Sequence, residues 1–122
     1  MSTDPFPTIV APLMADVASV TIASGQSLSG SVDLGRQRAV RVIIPATWTA
    51  ANLTFQVSYD NVTFSNLYDS SGNEYTVQAG ASRSIILPVA DFIGIRYLKV
   101  RSGTSGAAVN QTSAATLIIP VQ

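Results

Sequence analysis

From Ala18 to Gln122 this sequence is written in short runs of alternating or β-branched residues, each cut off by Gly, Ser, Asn, Asp or Pro. No segment keeps helical spacing over the ~10 to 12 residues of an average helix, so a series of short strands is the reading that fits. Val20 and Ile22 alternate with Thr21 and Ala23 before Gly25, and Leu28, Val32 and Leu34 lead to Gly35. Val40, Val42 and Ile44 alternate until Pro45 removes a ladder donor. The clearest period of two is Leu53, Phe55, Val57 and Tyr59, with Thr54, Gln56 and Ser58 opposite, which predicts one face inward and the other wet. Asp60-Asn61 predicts a hairpin turn into residues 62–68, and residues 70–73 a second turn. Residues 74–78, 84–87, 96–101 and 116–121 supply further strands, and 102–108 reads as a mobile Gly/Ser/Ala loop. About nine closely spaced strands predict an all-β fold, an antiparallel β-sandwich of jelly-roll type. With 122 residues the chain has room for one such domain, assigned to 18–122.

Residues 1–17 differ: they carry Pro5, Pro7 and Pro12 and no periodic pattern, and read as an extended arm. Asp4 stands where a signal peptide is basic, and the apolar stretch from Ile9 to Val20 is broken by Pro12 and Asp16, so neither a signal peptide nor a membrane span fits. The chain is accordingly expected in the cytoplasm until assembly or lysis. The arm is either a disordered terminus or a clasp lying on a neighbouring subunit; Phe6, Ile9, Val10, Leu13 and Met14, poorly placed in free water, are the candidate contacts of the clasp.

Composition narrows the chemistry. The absence of His and Cys removes thiolate nucleophiles, imidazole or thiolate metal sites and every Ser-His-Asp arrangement. A formal net charge of +0 argues against a partner held by phosphate neutralisation, so no nucleic acid is expected. Only 11% of residues are charged, while 15 Ser and 11 Thr supply neutral polarity. Such a surface suits packing against other copies, because desolvating a hydroxyl costs far less than desolvating an ion.

Candidate acids are Asp60, Asp69 and Glu74, which flank successive turns; with Asn73 they are also hard oxygen donors, though their spacing is not that of an EF-hand. Turn carboxylates are ordinarily turn residues, so no catalytic, cofactor or metal role is assigned and the chain is read as non-enzymatic. Trp48 either caps one end of the core, the favoured reading, or stacks on a sugar ring with Asn52, Tyr68 and Tyr75 nearby. Alternation places Tyr97, Lys99 and Arg101 on one outward face, with Arg41 outward on another strand, a modest basic strip. The triplets at Asn52, Asn61 and Asn110 match a glycosylation pattern by chance in so hydroxyl-rich a chain.

From Trp48 onward the ordered blocks Trp-Thr-Ala-Ala-Asn-Leu-Thr-Phe-Gln-Val-Ser (48–58), Asp-Asn-Val-Thr-Phe (60–64), Leu-Tyr-Asp-Ser-Ser-Gly-Asn-Glu-Tyr (67–75), Asp-Phe-Ile-Gly-Ile-Arg-Tyr-Leu-Lys-Val-Arg-Ser-Gly-Thr (91–104) and Val-Asn-Gln (109–111) resemble a family of small virion-associated proteins of tailed bacteriophages and prophages. The resemblance covers roughly residues 18–122. It implies a β-sandwich on the particle surface, as capsid decoration or a head-spike component, with itself and other virion proteins as partners. The pattern Phe-Gln-Val-Ser-x-Asp-x-Val-Thr-Phe is similar to discoidin-type and carbohydrate-binding modules as well, which implies a host surface polysaccharide as the alternative partner.

Overall fold

The computed structural model describes residues 16–122. Eight strands fall into two antiparallel sheets: β1 (Asp16–Ile22), β2 (Val32–Asp33), β3 (Arg41–Ile43), β4 (Leu53–Ser58), β5 (Ser65–Asn66), β6 (Ser84–Ile86), β7 (Tyr97–Ser102) and β8 (Ala115–Val121). Sheet A runs β1-β8-β3-β6 and sheet B runs β2-β7-β4-β5. Strand one thus pairs with eight, two with seven, three with six and four with five. This is the order produced by rolling up one long hairpin whose tip lies between β4 and β5, and it makes the chain a jelly roll.

Alternation builds the core. From sheet A, Val20, Ile22, Val42, Leu117, Ile119 and Val121 point inward, and from sheet B Leu53, Phe55, Leu98 and Val100 meet them, all at 5% exposure or less. Leu34, Ala39, Ile44, Trp48, Leu87 and Phe92, from outside the strands, complete the core. Phe92 sits in a single helical turn, α1 (Val89–Phe92), which the strand-only reading missed because four residues leave no periodicity to detect. Its ring stands edge-on to Phe55 at 5.4 Å and to Tyr75 at 5.6 Å.

Several sequence expectations shift. The first strand begins at Asp16, so its first two residues belong to the sandwich, although the arm was drawn to residue 17. Residues 74–78 form isolated bridges, Tyr68 with Glu74 and Leu53 with Val77, instead of a strand. The 102–108 loop is closed by a bridge from Gly103 to Ala108 and by mutual hydrogen bonds of Thr104 and Ala107. Most informative is the outer face of sheet B, expected to be wet. Thr54 and Arg101 are paired across β4 and β7 on that face and are both buried, because the 69–75 turn and the 104–106 turn fold over them.

Candidate functional site

The candidate acids are each occupied by local structure. At the tip of the rolled hairpin the Asp60 carboxylate accepts hydrogen bonds from the Val62 and Thr63 amides, both at 2.9 Å, and from the Ser58 hydroxyl. The Ser58 oxygen in turn accepts the Asp60 and Asn61 amides. Asn61 takes φ 60, a left-handed conformation that asparagine tolerates. The two loop amides, with the hydroxyl, hold the Asp60 carboxyl below its ordinary pKa. Asp69 braces its own turn, accepting the Ser71 and Asn73 amides at 2.9 and 3.0 Å.

Glu74 reaches a different partner. Its carboxylate lies 3.3 Å from Arg101 and accepts the Ser105 amide at 3.1 Å, while the same guanidinium donates to Asn66 and Thr54. Side-chain exposure is 9% for Arg101 and 14% for Glu74, so this pair is a largely buried, hydrogen-bonded strut between β7 and the covering turns. Of the basic strip, Lys99 lies 4.2 Å over the Phe64 ring and Arg101 is committed to the strut. Among the described residues no group of three or more carboxylates comes together in a way that could hold a metal ion.

Trp48 takes the core-capping place, 7% exposed, with its indole N–H donating to the Ala51 carbonyl at 3.1 Å. The sequence reading missed what steadies it. Gln111 is fully buried and clasps Thr49 with both ends of its amide, accepting the Thr49 N–H at 2.8 Å and donating to its carbonyl at 3.0 Å. Tyr75 packs into the Phe55–Phe92 cluster and donates to Asp91 at 2.7 Å; burial first, and the facing carboxylate second, push its phenol pKa up, so it stays protonated. Asn52 accepts the Ala79 amide, and Tyr68 is 52% exposed beside the 69–73 turn. These four therefore form no shared open platform: two rings are packed inward and the other two residues stand at separate loops. Phe6, Ile9, Val10, Leu13 and Met14 lie outside the described residues.

Two surfaces remain that the sequence reading did not single out. Tyr59, expected on the inward face with Leu53, Phe55 and Val57, lies past the end of β4 and leaves the ladder; it and Val62 are more than 80% exposed beside a cleft of about 270 Å³ lined by Val57, Ser58, Thr63, Ser65 and Ile95. Gly94 and Ile95 separate it from a second cleft lined by Arg36, Gln37, Arg38 and Arg96. There the Arg96 guanidinium holds Asp33 at 3.1 Å, which lowers the carboxyl pKa and raises its own.

The second surface is the solvent side of sheet A. Register places Val17 opposite Pro120, Ile118 opposite both Ser19 and Ile43, and Arg41 opposite Ile86. Val17 is 70% exposed, Ile86 68% and Ile43 37%, and with the half-buried Ile118 and Pro120 they form a band of apolar side chains on all four strands, interrupted by Ser19, Arg41 and Ser84. Its sequence trace is a failure of alternation: Ile43-Ile44, Ile85-Ile86 and Ile118-Ile119 are apolar at both parities.

Comparison of the chain with family models, with curated proteins and with solved structures finds no match.

Proposed function

We propose that this chain is a non-enzymatic structural protein of a phage virion, a homo-oligomeric jelly roll that decorates the capsid or forms the base of a spike or fibre. The observation that carries the reading is the apolar band on the solvent side of sheet A. An apolar surface that crosses a whole sheet marks a place where another protein sits. The candidate acids support the same reading, since each is consumed in holding a turn or a strut. The resemblance of the blocks at 48–58, 60–64, 67–75 and 91–104 to virion proteins of tailed phages supplies the particle as the larger partner. Removing residues 1–15, which leaves β1 whole, is expected to lower the assembly mass seen by light scattering. It is also expected to abolish attachment when particles produced with and without the protein are imaged. Unchanged mass and attachment would overturn the part of this reading that gives the arm a clasping role.

The Tyr59 cleft favours a second reading, a glycan-binding module that brings a particle to its host. An exposed phenol ring beside a small cleft edged with Ser58, Thr63 and Ser65 has the amphipathic character that sugar rings engage. On this reading Tyr59→Ala abolishes saturable binding to bacterial capsule or lipopolysaccharide on a glycan array. An array silent for the unaltered chain removes it.

A further inference from the structure

We infer that the apolar outer face of sheet A is the seat for the N-terminal arm of a second copy of this chain, with Asp4 of the arm facing Arg41 of the sheet. This rests on the reading of the chain as a self-associating assembly protein and names the surfaces involved.

The face and the arm complement each other in kind. Register turns outward Val17, Ser19 and Thr21 from β1, Thr116, Ile118 and Pro120 from β8, Arg41 and Ile43 from β3, and Ser84 and Ile86 from β6. Arg41 is the only charged side chain in that set. Residues 1–15 contain Phe6, Ile9, Val10, Leu13 and Met14, and Asp4 is their only charged side chain. Joining the two covers apolar surface on both sides and pairs one cation with one anion.

Position and reach agree. The arm enters at Asp16, at the start of β1, which is an edge strand of sheet A and whose Val17 already lies on the outer face. A 15-residue segment spans up to ~50 Å when extended, whereas four strands at ~4.8 Å spacing cover only ~14 Å, so the arm can leave its own subunit and still cross a neighbour's sheet. To cover its own face the chain would have to reverse just before β1. Leu13, Met14 and Ala15 offer no Gly, Asn, Asp or Ser at which a tight reversal is favoured, which favours a neighbour's face over the chain's own. Pro5, Pro7 and Pro12 each remove a ladder donor, which suits an arm held by side chains on a face better than a strand added to an edge.

The absence of cysteine makes a direct test clean. Full-length Val10→Cys protein is mixed with full-length Ile43→Cys protein, allowed to re-equilibrate and treated with a short bismaleimide; Gln78→Cys, an exposed position outside sheet A, replaces Ile43→Cys in the control mixture. The inference expects a mixed cross-linked dimer from positions 10 and 43 and little from 10 and 78; equal yields from both mixtures overturn it. A charge exchange reads the same contact. Arg41→Asp and Asp4→Arg are each expected to weaken association about five- to tenfold by light scattering, and the two together to restore it. A double variant no better than the singles overturns the pairing, and unchanged Trp48 emission in every variant shows that the fold is intact. If the chain associates yet positions 10 and 43 do not cross-link, the arm seat is wrong while the assembly reading stands. A chain monomeric at every concentration overturns both.

Discussion

At Gly103 the backbone takes φ +86, and a methyl group there would meet the Ala107 carbonyl oxygen at 2.5 Å and the Val109 nitrogen at 2.7 Å. Two penalties coincide, left-handed strain and a clash with backbone that has no rotamer in which to escape. Gly103→Ala is therefore expected to cost at least ~2 kcal/mol in a urea titration. Gly106, in the same loop with open space around it, is the control, and Gly106→Ala should cost less than half as much. Asp60 makes a prediction of a different kind. Its pKa is depressed in the folded chain by amides that it loses on unfolding, so its contribution is present above the ordinary value of 3.8 and fades as pH falls through the lower folded value. Melting temperatures of the unaltered chain and of Asp60→Ala should differ near neutral pH and converge once acidification has passed below the ordinary carboxyl value of 3.8 and through the lower folded one. A difference that persists there would mean that packing, and not the carboxylate, holds the tip.

The strut between the two covering turns belongs to the scale of elements, because Arg101 stands near the end of β7 while Glu74 and Ser105 stand in separate loops. Removing the carboxylate leaves a buried guanidinium facing Thr54 and Asn66 alone, so Glu74→Ala is expected to cost ~3 kcal/mol. It should also free the Ser105 amide to exchange, which hydrogen exchange by NMR reads directly. A stable variant with a protected Ser105 would show the strut to be incidental. This network also marks where the sequence stops being legible. The strands of residues 53–58 and 97–102 could be read because burying one face imprints a period of two, and the tip at Asp60-Asn61 because few residues take φ 60 without strain. Arg101 could be placed on the outer face but not beneath a cover, since its partner lies 27 residues away and no local pattern encodes that approach. Gln111 was invisible for the same reason: its hydrogen bonds to Thr49 span 62 positions.

For the whole molecule, the rolled hairpin decides what is left for function. Pairing one with eight and four with five spends the inward faces on the core and leaves Val17, Ile43 and Ile86 exposed on the outward face of sheet A, whereas turns fold over part of sheet B. Assembly through that face depends on apolar contact with at most one ion pair, and the two forces respond to salt in opposite ways. At ~0.15 M ionic strength the screening length is ~8 Å and at ~1 M it is ~3 Å, so an assembly held by charge comes apart across that range. One held by apolar surface persists, because exposed ion pairs contribute only ~0 to 1 kcal/mol. Sulfate, excluded from apolar surface, tightens it further. The assembly is accordingly expected to weaken no more than about fivefold in ~1 M sodium chloride and to strengthen in ~0.5 M ammonium sulfate, measured by sedimentation at matched protein concentration. Dissociation in sodium chloride would transfer the contact from the apolar face of sheet A to the cleft of Arg36, Arg38 and Arg96, where cations gather.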